Sequence, residues 1–337
     1  MKSLCHSLLG GLLVAAGVHA DVTVTNLVVS QREGTKLVDI VYDLDNDSDS
    51  VAAVRITLFD GASKIDSPSL SGDFGSTVSV GSDRHAIWNG GADLNNQITP
   101  NLVVTVSATE PAPSGMVLVS GGTNSGNDPD VGNYSVTSAS NLYVGATEVS
   151  KSTWDSVYSW ANNNGYVFNN SGSAKGLQHP VVNIDWHDSI IWCNARSEQE
   201  GLTPCYNSNG NIVKAQAFSI QFDAAADGYR LPAGGEWEFL ARGGTEGFRF
   251  PWGNQITHDE ANYFSDESFS YDQNYAENGY DGYHAGYDSG GQPYTSPVGS
   301  FDPNGYGLYD MAGNVWEWCW NGTSEARMQR SGSWNQT

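Results

Sequence analysis

A chain of 337 residues is long enough for two cores of ordinary size. Its 15 Lys and Arg against 38 Asp and Glu leave a formal charge of −23, which repels phosphate backbones and anionic lipid and so excludes nucleic acid as a partner. The same carboxylate excess leaves room for hard cations, which take oxygen ligands.

At the start of the chain, Lys2 precedes an apolar run from Leu8 to Val18, and Val18-His19-Ala20 offers small residues where a signal peptidase reads. Residues 1–20 are therefore expected to be a signal peptide cleaved near Ala20, giving an extracytoplasmic protein, secreted or periplasmic. The run is shorter than the roughly 20 apolar residues a span requires, and no later stretch approaches that, so no membrane span is expected. Cys5 leaves with the leader, so Cys193, Cys205 and Cys319 remain. Cys193 and Cys205 are the nearest candidates for a disulfide in an oxidising compartment, and no CxxC or Cys/His cluster points to zinc.

Residues 21–109 alternate short β-rich runs (VTVTNLVVS, KLVDIVYDL, VAAVRITLF, HAIW, NLVVTVSAT) with Gly, Asn, Asp and Ser clusters. That pattern predicts an all-β, immunoglobulin-like sandwich, a label of architecture only, since no Cys or Trp pair marks an antibody-type domain. Asp43, Asp45, Asp47 and Asp49 resemble a calcium loop, yet Ser48 stands where an EF-hand needs Gly, so a solvated turn is expected there. The two prolines of 110–115 (EPAPSG) stiffen a linker to a second domain, 116–337, which holds ten of the eleven tryptophans.

In that domain Ser150 is placed to cap a helix whose Trp154, Val157, Tyr158 and Ala161 recur at helical spacing, ended by Asn163-Asn164-Gly165. A second helix opens at Asp185, with Asp188 completing a capping-box variant and Gly201 terminating it. Elsewhere Gly, Asn, Asp and Tyr dominate, which predicts long ordered loops. Their carbonyls need partners, and bound calcium is one way to gather them.

Seven segments carry a more specific signal: MVLVSGG (116–122), ATEVSKSTW (146–154), HPVVNIDWHD (179–188), GYRLPAGGEWEFLARGG (228–244), FPWGN (250–254), NGYGLYDMAGNVWEW (304–318) and RSGSW (330–334). In this order, over about two thirds of the chain, they resemble the formylglycine-generating-enzyme-like, or sulfatase-modifying-factor, family. The resemblance implies an α+β, loop-rich domain related to the C-type lectin fold. Family members continue past the position of Thr337, so the domain is expected to be incomplete.

The resemblance also implies two calcium sites. One would use Asn262, Tyr263, Asp281 and Tyr283; the other Asp310, Gly313, Val315 and Glu317, with Asp310 where the family often has Asn. Oxidising members hold copper(I) on a cysteine pair just after the RGGS-type motif, but Gln336 takes the first cysteine position here and the second lies past Thr337. Copper is thus not supported, because an amide oxygen is a poor ligand for a soft monovalent ion. Cys319 reads as a small buried residue, His187 as a first-turn helix residue, and Glu236 and Glu238 as helix surface and loop anchors. The expected function is an exported, calcium-stabilised protein whose loop-rich face, with Tyr309, Trp318, Trp320, Ser333, Trp334 and Gln336 near it, binds a protein, peptide or glycan. The alternative is a formylglycine-generating oxidase that converts a sulfatase cysteine. Diversified receptors on the same fold are a third possibility, for which these residues offer no direct support.

Overall fold

The computed structural model describes residues 9–10, 14–15, 22–45, 51–65, 67–94, 101–109, 111–274, 279, 282–322 and 327–336. Strands account for 36% of residues and helices for 14%, so the fold is mixed and mostly β. Contacts divide the chain into two units, Val18–Pro113 and Met1–Gly17 with Ser114–Thr337. No helix among the described residues is long and apolar enough to cross a membrane.

Two-residue strands Leu9–Gly10 (β1) and Val14–Ala15 (β2) lie inside the stretch expected to be a leader; the rest of that stretch lies outside the described residues. The Val18–Pro113 unit follows with Thr23–Gln31 (β3), Leu37–Asp45 (β4), Val51–Asp60 (β5), Ser63–Lys64 (β6), Leu70–Gly72 (β7), Gly75–Ser79 (β8), Gly81–Asn89 (β9), the single turn Gly90–Asp93 (α1) and Leu102–Thr109 (β10). Antiparallel pairing gives one sheet in the order β3-β4-β9-β7 and another in the order β10-β5-β6, with β8 also on β5. Period-two alternation explains the core: Val38, Ile40, Tyr42 and Leu44 of β4 and Ala52, Val54, Ile56 and Leu58 of β5 all point into one cluster with Trp88. In the acidic turn, Asp43 accepts bonds from Asn26 Nδ2 (2.6 Å) and the Asp83 N–H (2.8 Å), which hold its carboxyl below the usual range. Asp47 and Asp49 lie outside the described residues.

The second unit contains Met116–Val119 (β11), Gly122–Asp128 (β12), Gly132–Ser138 (β13), Leu142–Gly145 (β14), Lys151–Asn162 (α2), Trp186–Gln199 (α3), Tyr206–Ser208 (β15), Asn211–Ile212 (β16), Gln221–Phe222 (β17), Tyr229–Arg230 (β18), Gly234–Arg242 (α4), Trp316–Gly322 (β19) and Arg327–Arg330 (β20). Its central sheet runs β11-β14-β2-β18, and β1 joins the β19-β20 ribbon. Ser150 Oγ accepts the Thr153 N–H and starts α2. Reciprocal bonds between Asp185 and Asp188 start α3 at 2.8 and 3.0 Å. The buried faces of these helices meet through stacked Trp154 and Trp192, whose centroids are 5.7 Å apart. Cys193, Cys205 and Cys319 are buried free thiols.

From Gly243 to Val315 the described backbone runs mostly as turns, bends and isolated bridges. Side chains organise this stretch. Asn304 Nδ2 donates to the carbonyls of Leu240 and Ala241, closing the C-terminal end of α4, while its Oδ1 accepts the Tyr306 and Leu308 N–H groups.

Candidate functional site

Helix α4 brings the two longest motifs together. Its first turn is anchored by Glu236, which accepts the Ala233 N–H and a two-bond ion pair from Arg230 at 2.8 and 2.9 Å. One position on, Trp237 Nε1 donates to Glu317 Oε2 on β19 at 2.6 Å, entirely within the core. Glu238 turns the other way, to Arg242 at 2.8 Å and Arg330 at 3.4 Å. Glu236 and Glu238 are therefore separately paired, rather than a couple of carboxylates facing a common substrate.

Around Glu317 lies a buried carboxylate centre. Glu317, Asp310 and Glu148 are 0%, 6% and 1% exposed. Each has one oxygen held by an N–H donor: Glu317 Oε2 by Trp237, Asp310 Oδ2 by the Gly299 N–H (2.6 Å), and Glu148 Oε1 by Asn314 Nδ2 (2.9 Å); Glu317 Oε1 has no donor. Burial, reinforced by mutual repulsion, pushes Glu317 up to about 8 and Glu148 well above the usual range, and burial raises Asp310 too. Glu148 and Asp310 are close enough to share a hydrogen bond.

The loop that supplies Asp310 and Glu317 is bent by left-handed residues, Asp310 (φ 53°), Gly313 (φ 82°) and Asn314 (φ 55°). A Cβ at Gly313 would come within 2.5 Å of the Asn262 carbonyl, so only glycine allows this approach. Asn262 is thereby placed: its carbonyl accepts the Asn314 N–H at 2.7 Å and its amide reaches the Tyr294 carbonyl. The Gly313 carbonyl accepts Ser331 Oγ at 3.0 Å.

The carboxylate oxygens of Asp310 and Glu317 on one loop, with the loop's carbonyls, are of the oxygen type a hard divalent cation takes. Among the described residues, no three His, Cys, Asp or Glu side chains stand as a group that could hold a metal ion, so a cation here would require them to move. Sequence reasoning named Asp310, Gly313, Val315 and Glu317 and missed Glu148, which sits in the ATEVS motif with no acidic neighbour to betray it. At the other expected site, Tyr263 donates its hydroxyl to Asp272 (2.7 Å), while its carbonyl lies 3.1 Å from His258 Nε2. Tyr283 packs its ring among Phe264, Tyr294 and Trp334, and Asp281 lies outside the described residues.

Beside this centre runs a groove with two lobes, of about 300 and 200 Å³, which share Asp130, Arg249, Phe250, Ala312 and Ser331. The β12–β13 hairpin forms a wall of the larger lobe. It is pinned by Arg242, which bonds Asp128 at 3.1 Å and lies 3.5 Å over the Tyr134 ring, and by Arg249, which takes Asp130 with two bonds at 2.5 and 2.7 Å. Ser331, Ser333 and Gln336 line the smaller lobe. There Gln336 Oε1 accepts Trp316 Nε1 at 2.7 Å. Tyr309, Trp318 and Trp320 lie outside the lining of both lobes. Trp320 stacks on Trp186 and Tyr206, and Trp334 is 3% exposed. Cys319 is fully buried, its thiol pushed up to about 12. The ring of His187 sits edge-on against Trp186.

A family model described as the sulfatase-modifying factor enzyme 1-like domain matches residues 103–336. The chaperone protein LppX of Paenibacillus barcinonensis is 31% identical over 65% of this chain and 78% of its own length. The formylglycine-generating enzyme of Thermomonospora curvata is 34% identical over 42% of this chain and 33% of its own. The inactive C-alpha-formylglycine-generating enzyme 2 of Bos taurus is 32% identical over 50% of this chain and 42% of its own. The crystal structure of CarF superposes with a TM-score of 0.51 at 27% identity, over 67% of this chain and 89% of that one.

Proposed function

The chain belongs to the sulfatase-modifying factor enzyme 1-like family, and from that membership we propose that it is an exported, calcium-stabilised binding protein that holds a polypeptide in the two-lobed groove without copper–cysteine oxidation. The observation that carries this reading is Gln336: an amide, tied to Trp316, lines the groove at the position where the family resemblance places a copper-binding cysteine. Cys193, Cys205 and Cys319 are all buried, and burial lifts Cys205 and Cys319 to about 11 and 12, so neither offers a ready thiolate.

The groove suits a peptide. Its three arginines and three carboxylates balance in charge, its lining includes Trp237, Phe250 and Tyr271, and its polar groups are already oriented by one another. A relative named as a chaperone supports a polypeptide ligand over a glycan. We read the Val18–Pro113 unit as an immunoglobulin-like module and residues 1–20 as the chain's export signal, whose cleavage would take β1 and β2 out of the second unit's sheets.

Calcium, when bound, would supply positive charge to the Asp310–Glu317 loop; the chain's own residues do the positioning. Trp237 orients Glu317, the Gly299 N–H orients Asp310, and Asn314 ties this loop to the segment around Asn262.

The deciding assay incubates the full chain with copper(I), oxygen and a cysteine-containing sulfatase peptide. No aldehyde is expected. Aldehyde formation would replace this reading with the formylglycine-generating oxidase, which the Thermomonospora relative's name favours. In parallel, saturating calcium should raise Tm and a chelator should lower it.

A further inference from the structure

We infer that Arg330 is the groove's specificity-determining residue, and that the polypeptide held there presents it with an acidic side chain. This rests on the polypeptide reading above and adds what the larger lobe selects.

Three arginines and three carboxylates line that lobe, but their pairing is uneven. Arg242 commits every guanidinium nitrogen: Nε and Nη2 to Glu238 Oε1 at 3.2 and 2.8 Å, Nη2 also to Asp128 at 3.1 Å, and Nη1 to the Phe248 carbonyl at 3.0 Å. Arg249 does the same, giving Nε and Nη2 to Asp130 at 2.5 and 2.7 Å and Nη1 to the Asn254 carbonyl at 2.7 Å. Two cations therefore engage all three acids. Arg330 is left over. Its one side-chain hydrogen bond among the described residues runs from Nη2 to Glu238 Oε2 at 3.4 Å, longer than an ordinary N–H···O bond, and its Nε has no partner. No bond joins it to Glu317, its register partner on β19, whose held oxygen goes to Trp237.

A guanidinium with donors to spare receives an anion only where a ligand can reach it, and the Arg330 side chain, 36% exposed, lies at the end of β20 in the wall of the lobe. Beside it stand Trp237, Phe248, Phe250 and Met311, apolar surfaces that lower the local dielectric and strengthen a charge pair formed against them. The next residue, Ser331, has φ 86°, a left-handed value uncommon outside glycine, and it lines both lobes. Arg330 thus adjoins the passage from one lobe to the other, where an extended peptide continues past it in both directions and offers a side chain rather than a chain end. A carboxylate matches the planar fork of donors. A basic ligand residue, by contrast, finds every acid of the lobe already engaged by an arginine.

The probes are two pools of short peptides carrying an uncharged fluorophore, amidated at the C-terminus and random among non-acidic residues except for a central Glu or Gln. Fluorescence anisotropy with the full chain is expected to show the Glu pool bound about tenfold more tightly than the Gln pool, as a hydrogen-bonded charge pair gives. In Arg330→Gln this preference should vanish while affinity for the Gln pool stays within about twofold of wild type, a split that general damage to the groove would not produce. Glu238→Gln releases Arg330 Nη2 and removes the acid that competes for it, so the Glu pool should bind more tightly; this variant carries the test should Arg330→Gln fail to fold. A preference that survives Arg330→Gln, or that Glu238→Gln leaves unmoved, overturns the inference. Equal wild-type affinity for both pools also overturns it and leaves the polypeptide reading standing. A Gln pool with a free C-terminal carboxylate that binds as tightly as the amidated Glu pool overturns the side-chain assignment. Binding of neither pool removes the polypeptide reading itself, and this inference with it.

Discussion

Raising the pH should destabilise the metal-free protein, and Glu317 sets the scale. Its carboxyl stands at about 8 in the folded chain against an ordinary 4.5, with burial as the main cause. A group whose folded pKa is raised contributes stability that is full below its unfolded pKa and is lost as pH climbs through the folded value. Taken from pH 7 to 8.5, Glu317 alone removes about 1 kcal/mol, which for a unit of this size lowers Tm by about 2–4 °C. Glu148 and Asp310 are shifted in the same direction and add to the loss. The window stays above the range in which His179, His258 and His284, all depressed by burial, take up protons. The assay is thermal melting followed by near-ultraviolet circular dichroism after exhaustive chelation, repeated with saturating calcium. With calcium the carboxylates are held ionised and the slope should vanish or reverse. A metal-free Tm that is flat or rises between pH 7 and 8.5 would falsify the account of this centre as buried, mutually repelling acids.

Further outcomes follow from individual contacts. Calcium at 100 times its Kd should stabilise the protein by about 2.7 kcal/mol, readable as a shift in denaturant midpoint; no shift counts against cation binding. Glu236→Gln leaves the Arg230 guanidinium, 7% exposed, without its counter-charge and should cost roughly 3 kcal/mol in urea unfolding. Ser150→Ala removes the cap of α2 and should cost about 1 kcal/mol by the same measurement. Trp192→Ala, emptying a stacked core position, should cost about 3–5 kcal/mol; a loss below 1 kcal/mol would mean the α2–α3 seam repacks freely.

Both capped helices could be read from local chemistry, because Ser150 and the Asp185–Asp188 box act within three residues of themselves. Helix α4 gave no such sign: its start, Ala233-Gly234-Gly235, has no capping side chain of its own and depends on the Arg230–Glu236 pair and on Asn321, whose Oδ1 accepts the Gly234 N–H. The Asp310–Glu317 half of the buried centre was visible as a motif, since its residues lie within one loop. Glu148 was not, because what joins it to Asp310 is tertiary, through Asn314. Likewise Trp318, Trp320 and Trp334 share a composition signal with groove aromatics, and only packing shows that Trp320 stacks within the core edge and Trp334 is enclosed. His258 and His284, unrelated by spacing, meet at 4.9 Å between ring centroids.

The hairpin that borders the groove is fastened at Asp128, at Asp130 and through the face of Tyr134, three grips on one short ribbon. A jaw held this firmly has little freedom left to surrender when a ligand arrives. On the proposed peptide reading, selectivity would then fall to the contour of the opening, with poorly matched sequences rejected by collision rather than tolerated by adjustment. Loosening one grip, for instance at Arg249, should broaden the range of accepted peptides while shortening their residence.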